Sequence, residues 1–410
     1  MKIWARYLLG VIVGVVLGIF LPMEMANAGA IMSFLAELVM NMGRYMVIPL
    51  LFFLIPVSLY TLQAEKKLLR VGGSTVLFSL AAAAIGVFIG AVIVLVLSPQ
   101  RIPIIMAEAA APETFGISEI LLRVFPSNVT MVFWGEPLYL LPPVVLAVLI
   151  GLGFRGTHSF SGLMLEFFDT AAGLVYTLTS WVVSVMGVGL VALAAYAVMQ
   201  FRQIADIALF SEVLFAVLFS AGLVLLVFVP LAVFFFANRQ NPLSFLFSIL
   251  PPVLAAAVSG NHVFTLTTLM RTGRHNQGVS KKAESVVFTL TTLLCRAGTA
   301  MVSMIVFIVV LRSYSSLEVS LLQVIGVAFS AILFSVLIGG VPGGNILVFL
   351  SLLSSLHSKG VPDAYLILLP LVPVLLRVGV AVDVAVAAGI AQIVGQREKM
   401  CKSVPSHDFL

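Results

Sequence analysis

Apolar runs long enough to cross a bilayer recur along the whole chain, separated by short polar punctuation. Residues 4–22, 31–62, 71–97, 138–154, 163–199 and 207–236 form the first group, and 283–311 and 364–394 follow. A helix needs roughly 20 apolar residues to cross the hydrocarbon, so the longer runs must tilt or continue into water. Pro49 and Pro56 predict kinks in the second run, and Pro370 and Pro373 predict them near the start of the last. Two stretches break the pattern: 251–269, reading PPVLAAAVSGNHVFTLTTL, and 336–350, reading VLIGGVPGGNILVFL. Each is too interrupted for an ordinary span and too apolar for an ordinary loop. Interrupted segments at membrane depth mark places where backbone leaves the helix to line a cavity. The pattern predicts an all-α polytopic membrane protein with eight transmembrane helices and two re-entrant helical hairpins, each hairpin followed by a helix. It points to a solute transporter.

Composition agrees. The 410 residues are 61% hydrophobic and 10% charged, against roughly 25% charged in soluble domains. Mean hydropathy is +1.18. The net charge of +5 sits in short connections: Lys2 and Arg6; Lys66, Lys67 and Arg70; Arg271, Arg274, Lys281 and Lys282; Arg397, Lys399 and Lys402. The connection 99–133 carries Glu108, Glu113 and Glu119 against Arg101 and Arg123. All four basic groups fall on one side if both broken stretches turn back, which places both termini in the cytoplasm of a cell-membrane protein. Lys2, Arg6 and Ala26-Asn27-Ala28 imitate a cleavable leader, but the long run between them reads as a retained first helix. No basic stripe with interleaved aromatics offers a nucleic-acid surface. Two cysteines, Cys295 and Cys401, make neither a disulfide framework nor a metal cluster. No phosphate loop or catalytic constellation is visible, so the chain does not read as an enzyme and calls for no cofactor.

Several short motifs resemble the dicarboxylate/amino-acid:cation symporter family, the glutamate/aspartate transporter-like proteins, of which this chain looks like a divergent member. They are Met46-Val47-Ile48-Pro49 after Arg44, Leu69-Arg70-Val71-Gly72, Asn241-Pro242-Leu243-Ser244-Phe245-Leu246 and Val341-Pro342-Gly343. The likeness covers nearly the whole chain. It implies a homotrimer in a lipid bilayer, with elevator-type alternating access of a small, anionic solute such as a dicarboxylate or an acidic or neutral amino acid. Residues 1–240 would be a scaffold-rich half of helices one to six, 241–396 the transport core, and 397–410 a cytoplasmic tail.

The resemblance places the first hairpin tip at Ser259-Gly260-Asn261-His262-Val263-Phe264-Thr265 and the unwound part of helix seven at Cys295-Arg296-Ala297-Gly298-Thr299. Candidate solute contacts are therefore Ser259, Asn261, His262, Thr265, Arg296, Thr299, Arg377 and Asp383, with the second tip supplying Gly340, Val341, Pro342 and Gly343. Gly298 and Asp383 are candidate sodium ligands, and a proton through His262 or Asp383 is the other candidate coupling ion. Gly379 stands where the family has its solute-binding arginine, while Leu376 and Ala387 stand where it has carboxylates. Residue chemistry adds its own argument. An arginine at membrane depth costs roughly 2.5–3.5 kcal/mol on insertion scales, so it needs a partner, water or an anion. Arg377 and Asp383 lie about 240° apart around one helix and should not pair; Arg296 with Asp383 is the better internal ion pair, and carboxylate binding by Arg296 or Arg377 is the functional reading. The same residues also admit an uncoupled anion channel or exchanger on this scaffold, or a transport-inactive protein.

Overall fold

A computed structural model describes residues 2–21, 26–103, 117–134, 139–154, 161–204, 206–314, 319–341, 343–358 and 363–410. Among them helices joined by turns and short loops are the regular structure, with one isolated bridge between Val279 and Cys401. The helices are α1 (Ile3–Phe20), α2 (Ala26–Tyr45), α3 (Val47–Ala64), α4 (Leu68–Leu97), α5 (Ile117–Val124), α6 (Met131–Trp134), α7 (Leu141–Gly153) and α8 (Ser161–Arg202). There follow α9 (Ser211–Leu223), α10 (Val229–Phe236), α11 (Pro242–Ser259), α12 (His262–His275), α13 (Lys281–Leu294) and α14 (Ala297–Tyr314). The last are α15 (Leu321–Leu337), α16 (Ile346–His357) and α17 (Val372–Arg397), the last led in by a 3-10 stretch over Ala364–Leu371.

Nine helical stretches among the described residues are long and apolar enough to cross a membrane. Two of these, Pro242–Ser259 and Leu321–Gly340, belong to the broken stretches. The run at 138–154 forms a helix of 13 residues, α7, shorter than a straight crossing requires. The second run is interrupted at Met46, between α2 and α3. Pro49 explains the position: its ring crowds the carbonyl four residues back, that of Tyr45, the last residue of α2. Pro56 rides inside α3 without interrupting it.

Both broken stretches are helix–turn–helix units. α11 packs against α12 and α15 against α16. Helix seven is broken into α13 and α14, and 94% of its most apolar window is buried, so it forms the centre of the molecule. Around it lie α4, α12, α15, α16 and α17. Packing thus joins α4, α9 and α10 to the later half of the chain, since α4 runs along α14, and α9 and α10 pack on α17. An outer group consists of α1, α2, α3, α7 and α8.

The α1–α8 contact is made by small residues. Gly10, Gly14 and Gly18 recur every fourth position, on one face, against Gly187, Val191 and Ala195. A Cβ on Gly14 would fall 2.6 Å from the Cβ of Ala194. In lipid, where apolar burial does not drive association, such close backbone approach supplies the packing attraction. Gly14→Leu is therefore expected to lower the thermal midpoint of the detergent-purified protein, costing about 1–3 kcal/mol as an overpacked contact. Gly72→Leu, whose Cβ meets nothing within 4 Å, should leave the midpoint unchanged; equal effects of the two would refute this account.

The tail is docked. Ser280 N–H donates to Met400 O at 2.9 Å, Lys402 N–H to Gly278 O at 2.9 Å, and Leu410 N–H to Asn276 Oδ1 at 3.0 Å. Trp4 N–H reaches Leu410 O at 3.3 Å, and the Lys2 ammonium donates to His407 O. Burial pushes the Cys401 thiol up to about 12, which keeps it protonated and unreactive near neutrality.

Candidate functional site

Three local sequence devices bring chain turns together around the break in helix seven. The first is the α11–α12 turn. Gly260 takes a left-handed conformation, φ +61°, which ends α11 at no steric cost. Asn261 then starts α12, its Oδ1 accepting from Phe264 N–H at 2.9 Å. Thr265 Oγ1 donates back to Asn261 O and His262 O, each at 3.0 Å, and Ser259 Oγ accepts from Asn261 N–H at 3.3 Å. Asn261 and Thr265 thus spend polar atoms on the turn itself. His262 is the member that projects onward, its Nε2 lying 3.5 Å from Asp383 Oδ2.

The second device is the break between α13 and α14. α13 ends at Leu294, Cys295 leaves helical geometry, and Arg296 opens α14, its carbonyl accepting from Ala300 N–H at 2.8 Å. The first N–H groups of α14 have no intrahelical acceptor. Asp383 of α17 provides one. Its Oδ1 accepts from Gly298 N–H at 2.6 Å, and its carboxylate accepts from Thr299 N–H at 3.3–3.4 Å. Thr299 Oγ1 donates to Oδ2 at 2.6 Å. A carboxylate on a helix N-terminus is electrostatically favoured, and it fixes α14 against α17. Gly298 permits the approach: a Cβ there would sit 2.5 Å from the Cβ of Val382.

The expected Arg296–Asp383 pairing takes the form of charge attraction without direct contact. Arg296 and Asp383 do not form an ion pair within 4.0 Å, because Asp383 directs its oxygens at the N–H groups and hydroxyl of α14. Arg296 is 9% exposed, and its buried Nε has no hydrogen-bond partner among the described residues. A buried guanidinium with a free Nε, near Asp383 but not hydrogen-bonded to it, leaves this corner able to take a further acceptor.

The third device is the turn between α15 and α16. One 3-10 turn, Ile338–Gly340, is followed by bonds from Val341 N–H to Ile338 O at 3.2 Å and from Gly344 N–H to Val341 O at 3.0 Å. Gly343 has φ +63°, and Asn345 Oδ1 caps α16 through Leu347 and Val348 N–H at 2.9 and 3.2 Å. Pro342 lies outside the described residues. This turn also approaches the break: a Cβ on Gly339 would lie 2.7 Å from the carbonyl carbon of Leu293. Gly340 O accepts from Tyr139 Oη at 3.0 Å.

Thus His262, Gly298, Thr299 and Asp383 meet directly, Arg296 adjoins them in the chain, and the second turn closes in from the α13 side. Arg377 does not join them. Its Nε donates to Val258 O at 3.0 Å, Nη1 to Pro373 O at 3.1 Å and Nη2 to Gln200 Oε1 of α8 at 2.6 Å. Tyr139 and Gln200 take part in these contacts, and sequence reasoning passed over both. Neither carries a local signal, since each is a lone polar residue at the end of an apolar run. Among the described residues no cluster of three His, Cys, Asp or Glu side chains suits a metal ion. Gly298 presents its N–H to Asp383, so the contact between these two candidate sodium ligands is a helix cap.

A buried helix broken at its middle, with two helix–turn–helix tips directed at the break, defines a membrane transport protein of the broken-helix kind. The model of the Sodium:dicarboxylate symporter family matches residues 3–397, and the chain belongs to that family. It is 25% identical over 448 aligned positions to the Caenorhabditis elegans protein named Putative sodium-dependent excitatory amino acid transporter glt-6, covering 97% of this chain and 81% of the relative. Likeness to Neutral amino acid transporter B(0) of Bos taurus is 24%, over 96% of this chain and 81% of that protein. Neutral amino acid transporter A of Homo sapiens is 24% identical over 54% of this chain and 41% of its own length.

Proposed function

We propose that the protein is a sodium-driven secondary symporter of a small carboxylate-bearing solute, a dicarboxylate or an amino acid. The observation that supports this is Arg296: a nine-tenths buried guanidinium whose Nε has no hydrogen-bond partner among the described residues, at the N-terminus of α14, where both turns converge beside Asp383. A carboxylate there would receive the planar fork of Arg296. Ser259 and His262 stand at the first tip, while Asn261 and Thr265 shape it. Gly340, Val341, Pro342 and Gly343 form the second tip, whose backbone groups act as a gate. Thr299 and Gly298, held by Asp383, set the position of the unwound turn. Arg377 supports the first tip from behind through Val258.

The family model and the names of the relatives support sodium as the coupling ion. Coupling requires sodium to favour the solute-closed state, since an ion with equal affinity for both states moves nothing. Both hairpins then re-enter the cell membrane from one side each, the termini are cytoplasmic, and the α4, α9–α17 body slides as an elevator against α1, α2, α3, α7 and α8. Homotrimeric assembly through the outer group completes the reading.

The test is uptake into liposomes holding the purified protein. Radiolabelled aspartate, glutamate, alanine, serine and succinate are offered under an inward sodium gradient and, in parallel, under choline. Accumulation of at least one of them that depends on sodium is the expected result. Failure of all five, or accumulation indifferent to sodium, would sink the proposal.

A further inference from the structure

Away from the break, α1 and α8 on one side and α9, α11 and α17 on the other leave a crevice of about 550 Å³. Its walls are apolar, with Val11, Val15, Val198, Leu218 and Val378 among them. Phe201 and Leu218 of the same lining are 43% and 53% exposed, so the crevice opens on the surface that faces lipid. Val258 and Arg377 also line a second cavity, of about 440 Å³, together with Arg44, Tyr196 and Gln200. Val258 and Arg377 thus stand between the apolar crevice and a polar chamber.

The charge there is solvated but not neutralised. Arg377 donates to two carbonyls and one amide oxygen, all uncharged. No carboxylate among the described residues pairs with it within 4.0 Å, although Glu37 lines the same chamber. Arg44, in that chamber, has a buried Nε without a partner. Two cations and one exposed carboxylate leave the chamber net positive. A buried positive charge lacking a counter-ion is costly at membrane depth.

We propose that this cleft binds an anionic phospholipid, one acyl chain in the crevice and the phosphate at Arg377. Phosphate oxygens match the remaining N–H groups of the guanidinium fork, and chain methylenes gain by burial among valines and leucines. A free anion would leave the apolar crevice unused, and a zwitterionic lipid would leave the chamber's charge uncompensated. The chamber reaches Ser259 and Gly260 from behind the first tip, so the lipid sits on the far side of that tip from the break at Arg296.

The experiment uses the full-length protein, purified in neutral detergent and stripped of lipid. Phosphatidylglycerol or phosphatidylcholine with matched chains is added back, and retention is read by native mass spectrometry. Phosphatidylglycerol should be retained about tenfold over phosphatidylcholine, the size expected for one charge-assisted contact. Arg377→Gln should remove that preference, and Arg377→Lys should keep part of it. Gly222→Phe provides an independent arm: Gly222 lines the crevice, and its Cβ would point into open space. The larger side chain should displace the acyl chain and abolish retention with Arg377 intact. Equal retention of the two lipids by the unaltered protein would overturn the proposal. So would a preference that survives Arg377→Gln, retention unchanged in Gly222→Phe, or full competition by glycerol 1-phosphate, which has the headgroup chemistry without chains.

Discussion

Asp383→Ala is expected to abolish measurable uptake and to lower the thermal midpoint of the protein markedly. Asp383 is 2% exposed, and its carboxylate satisfies Gly298 N–H, Thr299 N–H and the Thr299 hydroxyl. Removing an ordinary helix cap costs about 0.5–2 kcal/mol. Here the freed donors stay buried, and each unsatisfied one adds about 1–3 kcal/mol. The combined cost, at least about 3 kcal/mol, is a large part of a typical total stability of about 5–15 kcal/mol. Asp383→Asn separates capping from charge. The amide oxygen can still accept from Gly298, and the Thr299 hydroxyl can turn to accept from the new NH₂ group. Asp383→Asn should therefore fold better than Asp383→Ala yet transport poorly, because the site gains a net positive charge and loses the carboxylate facing His262. Thermal midpoints and sodium-driven uptake, measured on the same preparations, check both statements. Uptake at the unaltered level in Asp383→Ala would remove this residue from the site.

The division between what was legible in the chain and what was not follows from the range of the forces involved. Span positions and the two broken stretches were legible because hydropathy and the helix preferences of glycine and proline act locally. Gly260-Asn261 and Gly343 through Asn345 could be read as turn and cap chemistry for the same reason. The break at Cys295-Arg296 was reached through resemblance; its surroundings contain no proline, and Gly298 alone does not dictate a break. Side-chain partners across helices were harder. Asp383 stands out in the sequence as a lone carboxylate in an apolar helix, but its acceptors could equally face a guanidinium, a cation or a helix end. The crossing of α14 and α17 at Gly298 decides among these, and that crossing depends on contacts far apart in sequence. Arg377 illustrates the converse. It stands two residues before Gly379, about 200° round the helix, and the structure shows the consequence, a contact with Gln200 of α8. The glycine stripe of α1 was present in the sequence at spacing four, but its meaning depended on α8 supplying Gly187 and Ala195 opposite.

Arg296→Gln is expected to raise the KM for a carboxylate solute about 10- to 100-fold, corresponding to about 1.4–2.8 kcal/mol of lost charge-assisted bonding. Stability should move the other way. Burial of the guanidinium, with Nε unpaired, penalises the empty protein more than the attraction of Asp383 offsets, so removing its charge should raise the thermal midpoint in the absence of solute. Arg296→Met, which also removes the unpaired Nε–H, should raise it further. Opposed changes in stability and transport are what distinguish a ligand-binding arginine from one that holds helices together, because loss of a structural ion pair would lower both. Arg296→Lys adds a finer comparison: the ammonium preserves charge but not the planar fork, so KM should fall between the unaltered protein and Arg296→Gln. Solute at saturating concentration should stabilise the unaltered protein more than Arg296→Gln, since ligand stabilisation scales with affinity. Melting curves with and without solute and sodium therefore test the assignment independently of uptake. A lower midpoint for Arg296→Met, or an unchanged KM for Arg296→Gln, would show that the guanidinium serves packing and that the carboxylate is held elsewhere.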